Sequence, residues 1–404
     1  MSRIELIGIS GPALAPEHGA LVRGCAAIVA SRRHRALVAG LPQPVLDIAP
    51  VAAMLDRVAD ILDGGGDVAI LASGDPLFYG IGRSLIDRFG PERLTIRPAL
   101  SALQLACARF RVPWDDLALL SAHGRASDNL PGRILRHQRA MLLTDGRNSP
   151  DRVAAELLAA LTDCGDAERI GALRIRVAEN LGLEDERLTS GDLAAIAGRS
   201  FGPLNMMLIE QPSAPAPFPL GLCEDDIRHS RGLITKDEVR AATLHRLRLP
   251  ATGVFWDIGG GSGAVSLEAA RLCPDLTIRT VEKKAEEQAN IRANIRQFGA
   301  YSIRLVCGEA PEALADLPAP DRVFIGGSGQ RLEAIVEAAA ARLADGGRIV
   351  LNAVLARTET LALACFERLG LRVSASVIAV SRRPRPGGEP RQFNPITLIT
   401  GDKP

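Results

Sequence analysis

The residues best suited to chemistry in this chain form a glycine-rich turn just past its middle. Residues 254–270 read VFWDIGGGSGAVSLEAA: an apolar run containing Asp257 is followed by four glycines and one serine at 259–263, and then by a helix-like pattern. Glycine lets the backbone approach a ligand closely, and the N-terminus of a following helix points free N–H groups at it. Asp257 is placed to face the ammonium group of an amino acid. The turn therefore predicts a site for a nucleotide-like ligand.

Two later strand ends complete this predicted site. Glu282 ends the next strand-like run about 20 residues on, where a carboxylate can accept hydrogen bonds from both ribose hydroxyls. The third run ends near Gly308, where an adenine ring is expected to lie. The cofactor-binding candidates in this half of the chain are Thr235, Gly259, Gly260, Gly261, Ser262, Gly263, Glu282, Gly308, Glu309 and Ala310.

These residues leave more than one ligand class open. Gly259, Gly261 and Ala264 also satisfy the dinucleotide fingerprint, so an NAD-dependent oxidoreductase is an alternative, and a turn that serves only close packing is another. S-adenosylmethionine is favoured by Asp257. It is also favoured by two C-terminal strand-like runs with no helix between them, which resemble the last two strands of seven-stranded methyltransferases.

A second and unrelated glycine-rich turn lies in the first half of the chain. LASGDPLFYGIG (71–82) places Gly74 after an apolar run, and IGISGPA (7–13) offers another turn that could face it. In such turns proline restricts the backbone angle φ, and glycine allows backbone conformations that other residues avoid. One chain with two different glycine-rich turns suggests two ligand pockets.

Strand-like and helix-like runs alternate around both turns, which predicts an α/β protein. The first half has predicted strands at 4–9, 26–31, 67–72, 93–98, 117–122, 140–145, 174–179 and 204–210, with a helix over 50–65. The second half has a helix at 235–249, capped by Thr235 with Glu238, and strands at 253–258, 277–282, 303–308, 321–326 and 347–353. These strands predict a doubly wound parallel sheet. The runs 371–383 and 392–401 predict an antiparallel hairpin at its edge.

A proline-rich segment marks the domain boundary. In QPSAPAPFPLG (211–221) four prolines alternate with small residues, a pattern that favours an extended, semi-rigid spacer. We therefore predict a first domain over residues 1–211, a linker over 212–219 and a second domain over 220–404. A chain of 404 residues is also too long for one ordinary core.

Composition argues against several classes of partner. The formal net charge is +1 and aromatic residues make up 3% of the chain, so nothing indicates a nucleic-acid surface. No uninterrupted apolar run is long enough for a membrane span. Seven dispersed cysteines without a CxxC motif predict neither disulfides nor a metal site, and suit a reducing cytoplasm.

Five motifs in the first half occur in the order found in one known family. IGISGPA, LASGDPLFYGIG, RPALSALQLA (97–106), MLLTDG (141–146) and FGPLNMMLIE (201–210) resemble the tetrapyrrole methylase domain, over almost all of residues 1–211. The resemblance implies a two-lobed α/β fold that binds S-adenosylmethionine in the cleft between its lobes. It implies donor-binding roles for Gly8, Gly74, Asp75, Phe78, Ser101, Ala102 and Thr144. The family's first turn usually reads GxGPG, and here Ser10 replaces a glycine.

The second half resembles a different family. RGLITKDEVRA (231–241), DIGGGSGAVSLEAAR (257–271), VEKKAEEQANIRANI (281–295), GEAPEAL (308–314) and VFIGGSG (323–329) look like the decarboxylating precorrin methyltransferase domain, a Rossmann-like seven-stranded fold. The fusion, in this order, is similar to bifunctional enzymes of cobalamin synthesis. It implies methylation of a precorrin at C-5 by the first domain. It also implies C-15 methylation and decarboxylation of the ring-C acetate by the second, with one S-adenosylmethionine in each. Another tetrapyrrole or an RNA base remains an alternative substrate.

Arginines are the candidates for holding such a polycarboxylate substrate of the precorrin-6B type, because the planar guanidinium binds carboxylates bidentately. We single out Arg231, Arg382 and Arg383, with Arg385 and Arg391 in the same hairpin. The attacking carbon belongs to the substrate, so no protein nucleophile is expected. Long helices such as 281–297 could pair between copies, and we expect a homo-oligomer.

Overall fold

The first domain consists of two α/β lobes in a computed structural model of the chain. The structure describes residues 2–122, 129–213, 220–230, 234–383 and 388–404. The first lobe contains β1 (Ile4–Ile9), α1 (Pro16–Gly24), β2 (Ala27–Ala30), β3 (Val45–Asp47), α2 (Val51–Asp63), β4 (Val68–Ser73), α3 (Gly82–Phe89), β5 (Leu94–Arg97) and α4 (Ala102–Phe110). In the second lobe are β6 (Ala118–Ser121), α5 (Leu130–Leu135), β7 (Arg139–Leu143), α6 (Pro150–Asp163), α7 (Ala167–Ala172), β8 (Arg174–Glu179), β9 (Arg187–Gly191), α8 (Leu193–Ala197) and β10 (Asn205–Glu210).

The first lobe is a parallel sheet in the order β3-β2-β4-β1-β5, covered on both faces. Its strands are almost wholly apolar, as expected of a parallel sheet that is buried on both sides. Helix α2 shows how a face is covered: Met54, Val58 and Leu62 recur every fourth residue and are buried together on one side of the helix. All strands end at one edge, so the turns after β1, β4 and β5 meet there.

The second lobe is a mixed sheet in the order β6-β7-β10-β8-β9. Only its first pair, β6 with β7, is parallel among the described strands. Helix α4 crosses back from the first lobe, and its Leu103, Ala106 and Phe110 join an apolar cluster with Met141 and Met206 of this sheet. Helix α4 thereby holds the two lobes side by side.

The second domain has a seven-stranded sheet in the order β13-β12-β11-β14-β15-β19-β16, in which only β19 runs antiparallel to its neighbours. Its elements are α9 (Asp237–Leu247), β11 (Thr252–Ile258), α10 (Ala264–Leu272), β12 (Asp275–Glu282), α11 (Ala285–Phe298), β13 (Ile303–Cys307), β14 (Arg322–Ile325), α12 (Leu332–Arg342), β15 (Arg348–Ala353), α13 (Ala356–Arg368), β16 (Arg372–Ile378), β17 (Ser381–Arg382), β18 (Arg391–Gln392) and β19 (Ile396–Asp402). The predicted doubly wound sheet is confirmed.

Four details differ from the prediction. The C-terminal hairpin is not simply added at the edge, because β19 inserts between β15 and β16, and a separate two-stranded sheet, β17–β18, lies between them in sequence. Strands β3 and β9 were not predicted, since one has three residues and the other is mostly exposed. Helix α9 begins after Lys236 without a side-chain cap, so the capping box predicted at Thr235 is wrong. Residues 281–282 belong to β12 and not to the helix predicted over 281–297.

The two domains dock against each other through the second lobe. A continuous apolar cluster includes Leu157 and Leu161 of α6 as well as Ile291 and Ile295 of α11. Polar contacts surround it: Arg292 pairs with Asp163 at 3.1 Å, and the hydroxyl of Tyr301 donates to Asp166. The helix expected to pair between copies is thus partly used within the chain.

Further contacts fix the start of β12 to the same lobe. The side-chain amide of Asn129 donates to the carbonyls of Pro274 and Leu276 at 3.2 and 3.0 Å, and Arg136 pairs with Asp275 at 3.0 Å. Helix lengths and hydropathy in the described parts of the chain give no candidate for a membrane-spanning helix.

Candidate functional site

The turn after β11 is shaped by glycines that admit no side chain. Gly259 has φ 70°, and a Cβ there would lie 2.2 Å from the carbonyl oxygen of Gly327. At Gly260 a Cβ would lie 2.3 Å from the side chain of Thr280. Backbone N–H groups of Gly259 and Gly260 both donate to the carbonyl of Val281, which ties the turn to the neighbouring strand. The turn is therefore held rigidly from beneath.

The outer side of the same turn is open. At Gly261, with φ 56°, no described atom lies within 4 Å of the position that a Cβ would take. Gly263, with φ 76°, is the N-cap of α10 and offers no capping side chain, while the N–H of Ser266 in the first turn is bonded by the buried Asp257 carboxyl. Open space above a rigid glycine turn fits the methyl-donor candidate.

Glu282 organises this opening. One carboxylate oxygen accepts from the backbone N–H of Gly261 at 2.9 Å, and the other accepts from the N–H groups of Lys283 and Lys284, each at 2.9 Å. The Glu282 side chain is buried, and the backbone carbonyl of Glu282 accepts from the N–H of Gly308 at 3.0 Å. The carboxylate of Glu282 thus connects the predicted ribose position to the glycine turn, and its backbone carbonyl connects the same strand end to Gly308 beside the predicted adenine position.

Asp257 lies beneath the turn rather than in the opening. It is 1% exposed, and its Oδ2 accepts from the Ser266 hydroxyl at 2.6 Å, whereas its Oδ1 has no partner among the described residues. Burial raises the pKa of this carboxyl to about 6, although the Ser266 hydrogen bond opposes the rise. Its side chain braces the turn against α10, with one acceptor left unsatisfied.

Of the remaining candidates in the second domain, one lies on the rim of the opening and the others make supporting contacts around it. Glu309 lies on the rim, half-exposed, and pairs with Lys283 at 2.7 Å. Ser262 and Ala310 are buried, and the Ser262 carbonyl accepts from Asn294 of α11 at 2.9 Å. Thr235 is held at the start of α9 by its carbonyl, which accepts from Arg240 at 3.1 Å. Thr235 is thus fixed near α10 through a buried arginine, and its predicted contact with the donor stays a prediction.

The structure assigns Arg382 a different setting from the expected substrate contact. Its guanidinium pairs with Glu238 through two hydrogen bonds of 2.8 and 2.6 Å, and with Glu224 at 2.7 Å. It also stacks over the Phe393 ring at 5.2 Å. These partners hold β17 onto the start of the second domain and leave this arginine little capacity for a substrate carboxylate. Arg383 beside it is exposed, and Arg231 and Arg385 lie outside the described residues.

In the first domain the predicted donor residues meet at the carboxyl edge of the parallel sheet. A Cβ on Gly8 would lie 2.2 Å from the Gly74 carbonyl and 2.5 Å from the Ala99 nitrogen, so the three turns touch there. Gly74, with φ 61°, lies against the backbone of Ser101, which begins α4 with a complete capping box. Ser10 continues this edge, and its carbonyl lies 2.8 Å from the Cβ position of Gly182 in the second lobe.

The other first-domain candidates surround this edge. Phe78 packs on the apolar cluster shared by α4 and the second sheet, and Asp75 caps its own turn by accepting from the N–H of Leu77 at 2.9 Å. Thr144 follows β7 and is buried, with its hydroxyl donating to Asn205. Gly8, Gly74 and Ser101 therefore lie together, whereas Thr144 lies at the end of the facing sheet.

Sequence analysis missed three residues at these sites. Gly327 forms the floor beneath Gly259, and the sequence VFIGGSG that contains it carries no predicted contact. Lys283 holds the rim, and the signal was its position directly after Glu282. His34 is buried beneath the first-domain edge, where its ring nitrogens lie near the hydroxyls of Ser31 and Ser73. No sequence pattern marked this histidine.

Comparison with known proteins finds two family matches in different parts of the chain. Residues 14–197 match the family model for tetrapyrrole (corrin/porphyrin) methylases, and residues 226–400 match the precorrin methyltransferase domain. A precorrin-6Y C(5,15)-methyltransferase [decarboxylating] of Sinorhizobium sp is 38% identical over 309 residues, which cover 76% of this chain and 73% of that protein.

Two shorter proteins are also similar. A probable cobalt-precorrin-6B C(15)-methyltransferase (decarboxylating) of Saccharolobus solfataricus is 34% identical over 177 residues, which cover 42% of this chain and 89% of that protein. A solved structure from Geobacter metallireducens, described as precorrin-6Y C5,15-methyltransferase, is 43% identical with a TM-score of 0.46. Its alignment covers 46% of this chain and all of that one.

Proposed function

The chain belongs to the decarboxylating precorrin-6Y C5,15-methyltransferase family, and from that premise we propose that it methylates a precorrin at two carbons, one in each domain. The first domain adds a methyl group at C-5. The second adds one at C-15 and removes CO2 from the ring-C acetate. This assignment replaces the dinucleotide alternative for the glycine turn after β11.

The observation that carries the proposal is the presence of two separate groups of glycine-rich turns, each at the carboxyl edge of its own sheet. One lies around Gly8 and Gly74, and the other around Gly261 and Glu282. Ligands of open α/β sheets bind at this edge. Two such edges of different construction support one S-adenosylmethionine in each domain.

S-adenosylmethionine supplies an activated methyl group on a sulfonium, so the protein needs to align the donor with the substrate carbon and exclude water. In the second domain, the N–H groups after Gly261 and the carboxylate of Glu282 would hold the donor's polar parts. The rigid floor at Gly259 and Gly327 fixes their distance from the sheet. These residues position the donor, and none of them takes part in bond making.

The division of labour rests on the shorter relative. The Saccharolobus protein is named a decarboxylating C(15)-methyltransferase, and its aligned length is one that a single domain of this chain can supply. The match of residues 226–400 to the precorrin methyltransferase domain supports the second domain as the unit that corresponds to it. The tetrapyrrole methylase domain is then left with C-5.

The test is incubation of the full chain with precorrin-6B and S-adenosylmethionine. We expect a product mass increased by two methyl groups and decreased by one CO2. Cleavage within the linker, followed by assay of each half, should yield C-15 methylation with decarboxylation from residues 220–404 alone. A single methyl group in the product of the full chain, or loss of CO2 with the first half alone, would contradict the division.

Two further expectations belong to this proposal. A homo-oligomer and a cytoplasmic location stay predictions, and sedimentation of the purified chain tests the first. Since part of α11 is buried against the first domain, an interface between copies is expected on other surfaces.

A further inference from the structure

A buried histidine lies directly behind an exposed serine at the first-domain edge. Ser73 ends β4 and precedes Gly74, and its side chain is exposed. His34 is 7% exposed, with its Nε2 3.3 Å from the Ser73 hydroxyl and its Nδ1 3.3 Å from the Ser31 hydroxyl. The imidazole therefore lies between a half-buried hydroxyl and the hydroxyl of an exposed residue at the end of β4.

The surroundings favour the neutral form of this histidine. Burial lowers the pKa of His34 below its ordinary value, the charge of nearby Arg33 lowers it further, and a hydrogen bond with the Leu71 backbone offsets part of the effect. Among the described residues, Arg33 is the charged group that lowers the pKa of the His34 ring. A neutral imidazole has one nitrogen free to accept a proton.

The chemistry of carbon methylation requires such an acceptor. When a ring carbon that bears hydrogen takes a methyl group from a sulfonium, a C–C bond forms, the S–CH3 bond breaks and the sulfur becomes a neutral thioether. The positive charge remains on the methylated macrocycle until the hydrogen on that carbon leaves as a proton. One proton is therefore released for each methyl group transferred, and conjugation returns only when it is gone.

We propose that Ser73 and His34 accept the proton released at the carbon methylated in the first domain; this inference rests on the proposed function of that domain. Ser73 Oγ takes the proton from carbon while its own proton passes to His34 Nε2, and Ser31 accepts from Nδ1–H. The resulting imidazolium later returns the proton to solvent through Ser73. Ser73 is the residue that contacts the substrate, and His34 acts through it.

The position of the pair agrees with this role. Ser73 is adjacent to Gly74, whose carbonyl approaches Gly8 and whose backbone lies against Ser101, so the hydroxyl borders the predicted donor site. In the register of the sheet Ser73 lies beside Ile9, which leads into the first turn. A histidine that served only to fill the core would not need an exposed hydroxyl at its outer nitrogen.

The test uses the two methylations of one chain as each other's control. Full-length Ser73→Ala and His34→Gln are compared with wild type in single-turnover reactions with precorrin-6B and 13C-methyl donor, and the labelled carbons are identified by NMR. General-base catalysis is worth about 10²–10⁴-fold, so we expect the C-5 step to slow by at least about 100-fold in both variants. C-15 methylation and calorimetric donor binding at both sites should be unchanged. Ser73→Thr, which keeps the hydroxyl, should restore most of the rate.

A pH profile separates proton acceptance from structural support. Because only neutral imidazole accepts the proton, the wild-type C-5 rate should fall as pH drops through the pKa of His34, below its ordinary value of 6.5. His34→Gln should lack this dependence. His245→Gln, which alters an exposed histidine on α9, serves as the matched control and should retain both rates.

Unchanged C-5 rates in Ser73→Ala and His34→Gln would overturn the inference, as would equal losses of donor binding and of both methylations. Removal of a hydroxyl from an exposed residue should change stability by less than about 1 kcal/mol, so Ser73→Ala keeps the test valid if His34→Gln is unstable. A wild-type chain that labels C-15 alone would instead refute the proposed function of the first domain.

Discussion

Replacement of Glu282 by Gln tests the second donor pocket most directly. The carboxylate accepts three backbone N–H groups, those of Gly261, Lys283 and Lys284, each at 2.9 Å. A glutamine side chain has one carbonyl oxygen, and its NH2 group would meet backbone donors that it cannot accept from. At least one N–H group at the rim therefore loses its partner, in a place where the donor's ribose is expected to bind.

The expected magnitude follows from the type of bond. Hydrogen bonds to charged groups contribute about 1.5–3 kcal/mol, and part of this loss relaxes the turn before any ligand arrives. We expect donor affinity at this site to fall by about 1–3 kcal/mol, which is roughly a 5–150-fold increase in Kd. The first-domain site should keep its affinity, because none of its residues contacts Glu282.

The assay is isothermal titration of the full chain with S-adenosylhomocysteine. Wild type should bind two molecules, and the Glu282→Gln variant should bind one with wild-type affinity and one more weakly. Glu286→Gln is the matched control, since Glu286 is an exposed carboxylate in the first turn of α11 and does not face the glycine turn. Wild-type affinity at both sites of the Glu282 variant, or equal weakening of both, would refute the reasoning.

Three further predictions concern the supports of these sites. Arg382→Ala removes the ion pairs that hold β17, so thermal unfolding should indicate a loss of about 1–2 kcal/mol that shrinks in high salt, whereas Arg383→Ala should change stability by less than about 0.5 kcal/mol. The pKa of Asp257 is raised from 3.8 to about 6 in the folded state, so the free energy of unfolding should decline by up to about 3 kcal/mol as pH rises from about 4 to 6, and then level off. Asp257→Asn should abolish this decline when unfolding is measured at a series of pH values. Tyr301→Phe removes the buried hydroxyl that donates to Asp166 across the domain interface. After linker cleavage, the Kd between the two halves, measured by gel filtration, should rise about 5–30-fold, because the interface loses about 1–2 kcal/mol of binding free energy.

The sequence predicts most strands of the three large sheets because most of them are continuous apolar runs. It also predicts that Glu282 ends a strand beside the glycine turn, which the structure shows, whereas its contact with the donor stays a prediction. It does not predict that Arg382 is neutralised by Glu238 and Glu224, because these residues are more than 140 positions apart in the chain. Pairings over such distances depend on how β17 folds back, which local patterns do not encode.

The interior position of Asp257 shows a second limit of sequence patterns. Its place before the glycine turn suggests contact with a ligand, yet the side chain alternates inward and is 1% exposed beneath α10. His34 is the opposite case, because no motif marks it and only the tertiary fold brings it to Ser73, 39 positions away. The supporting positions of Asp257 and His34 are visible only in the tertiary structure, whereas the glycine-rich turns are visible in the sequence.

The location of the domain interface has a consequence for how two reactions share one chain. The first domain contributes α5 and the α6–α7 region of its second lobe to this interface, whereas Gly8, Gly74 and Ser73 lie on the first lobe. In the second domain Asp275 and Leu276 at the start of β12 make contact, and Glu282 at its other end holds the glycine turn, roughly 23 Å away at the usual strand rise. Helix α11 links the interface to the glycine turn, because its Ile291 and Arg292 face the first domain while its Asn294 donates to the Ser262 carbonyl. Loss of docking should therefore affect the second-domain site through α11 rather than through the start of β12.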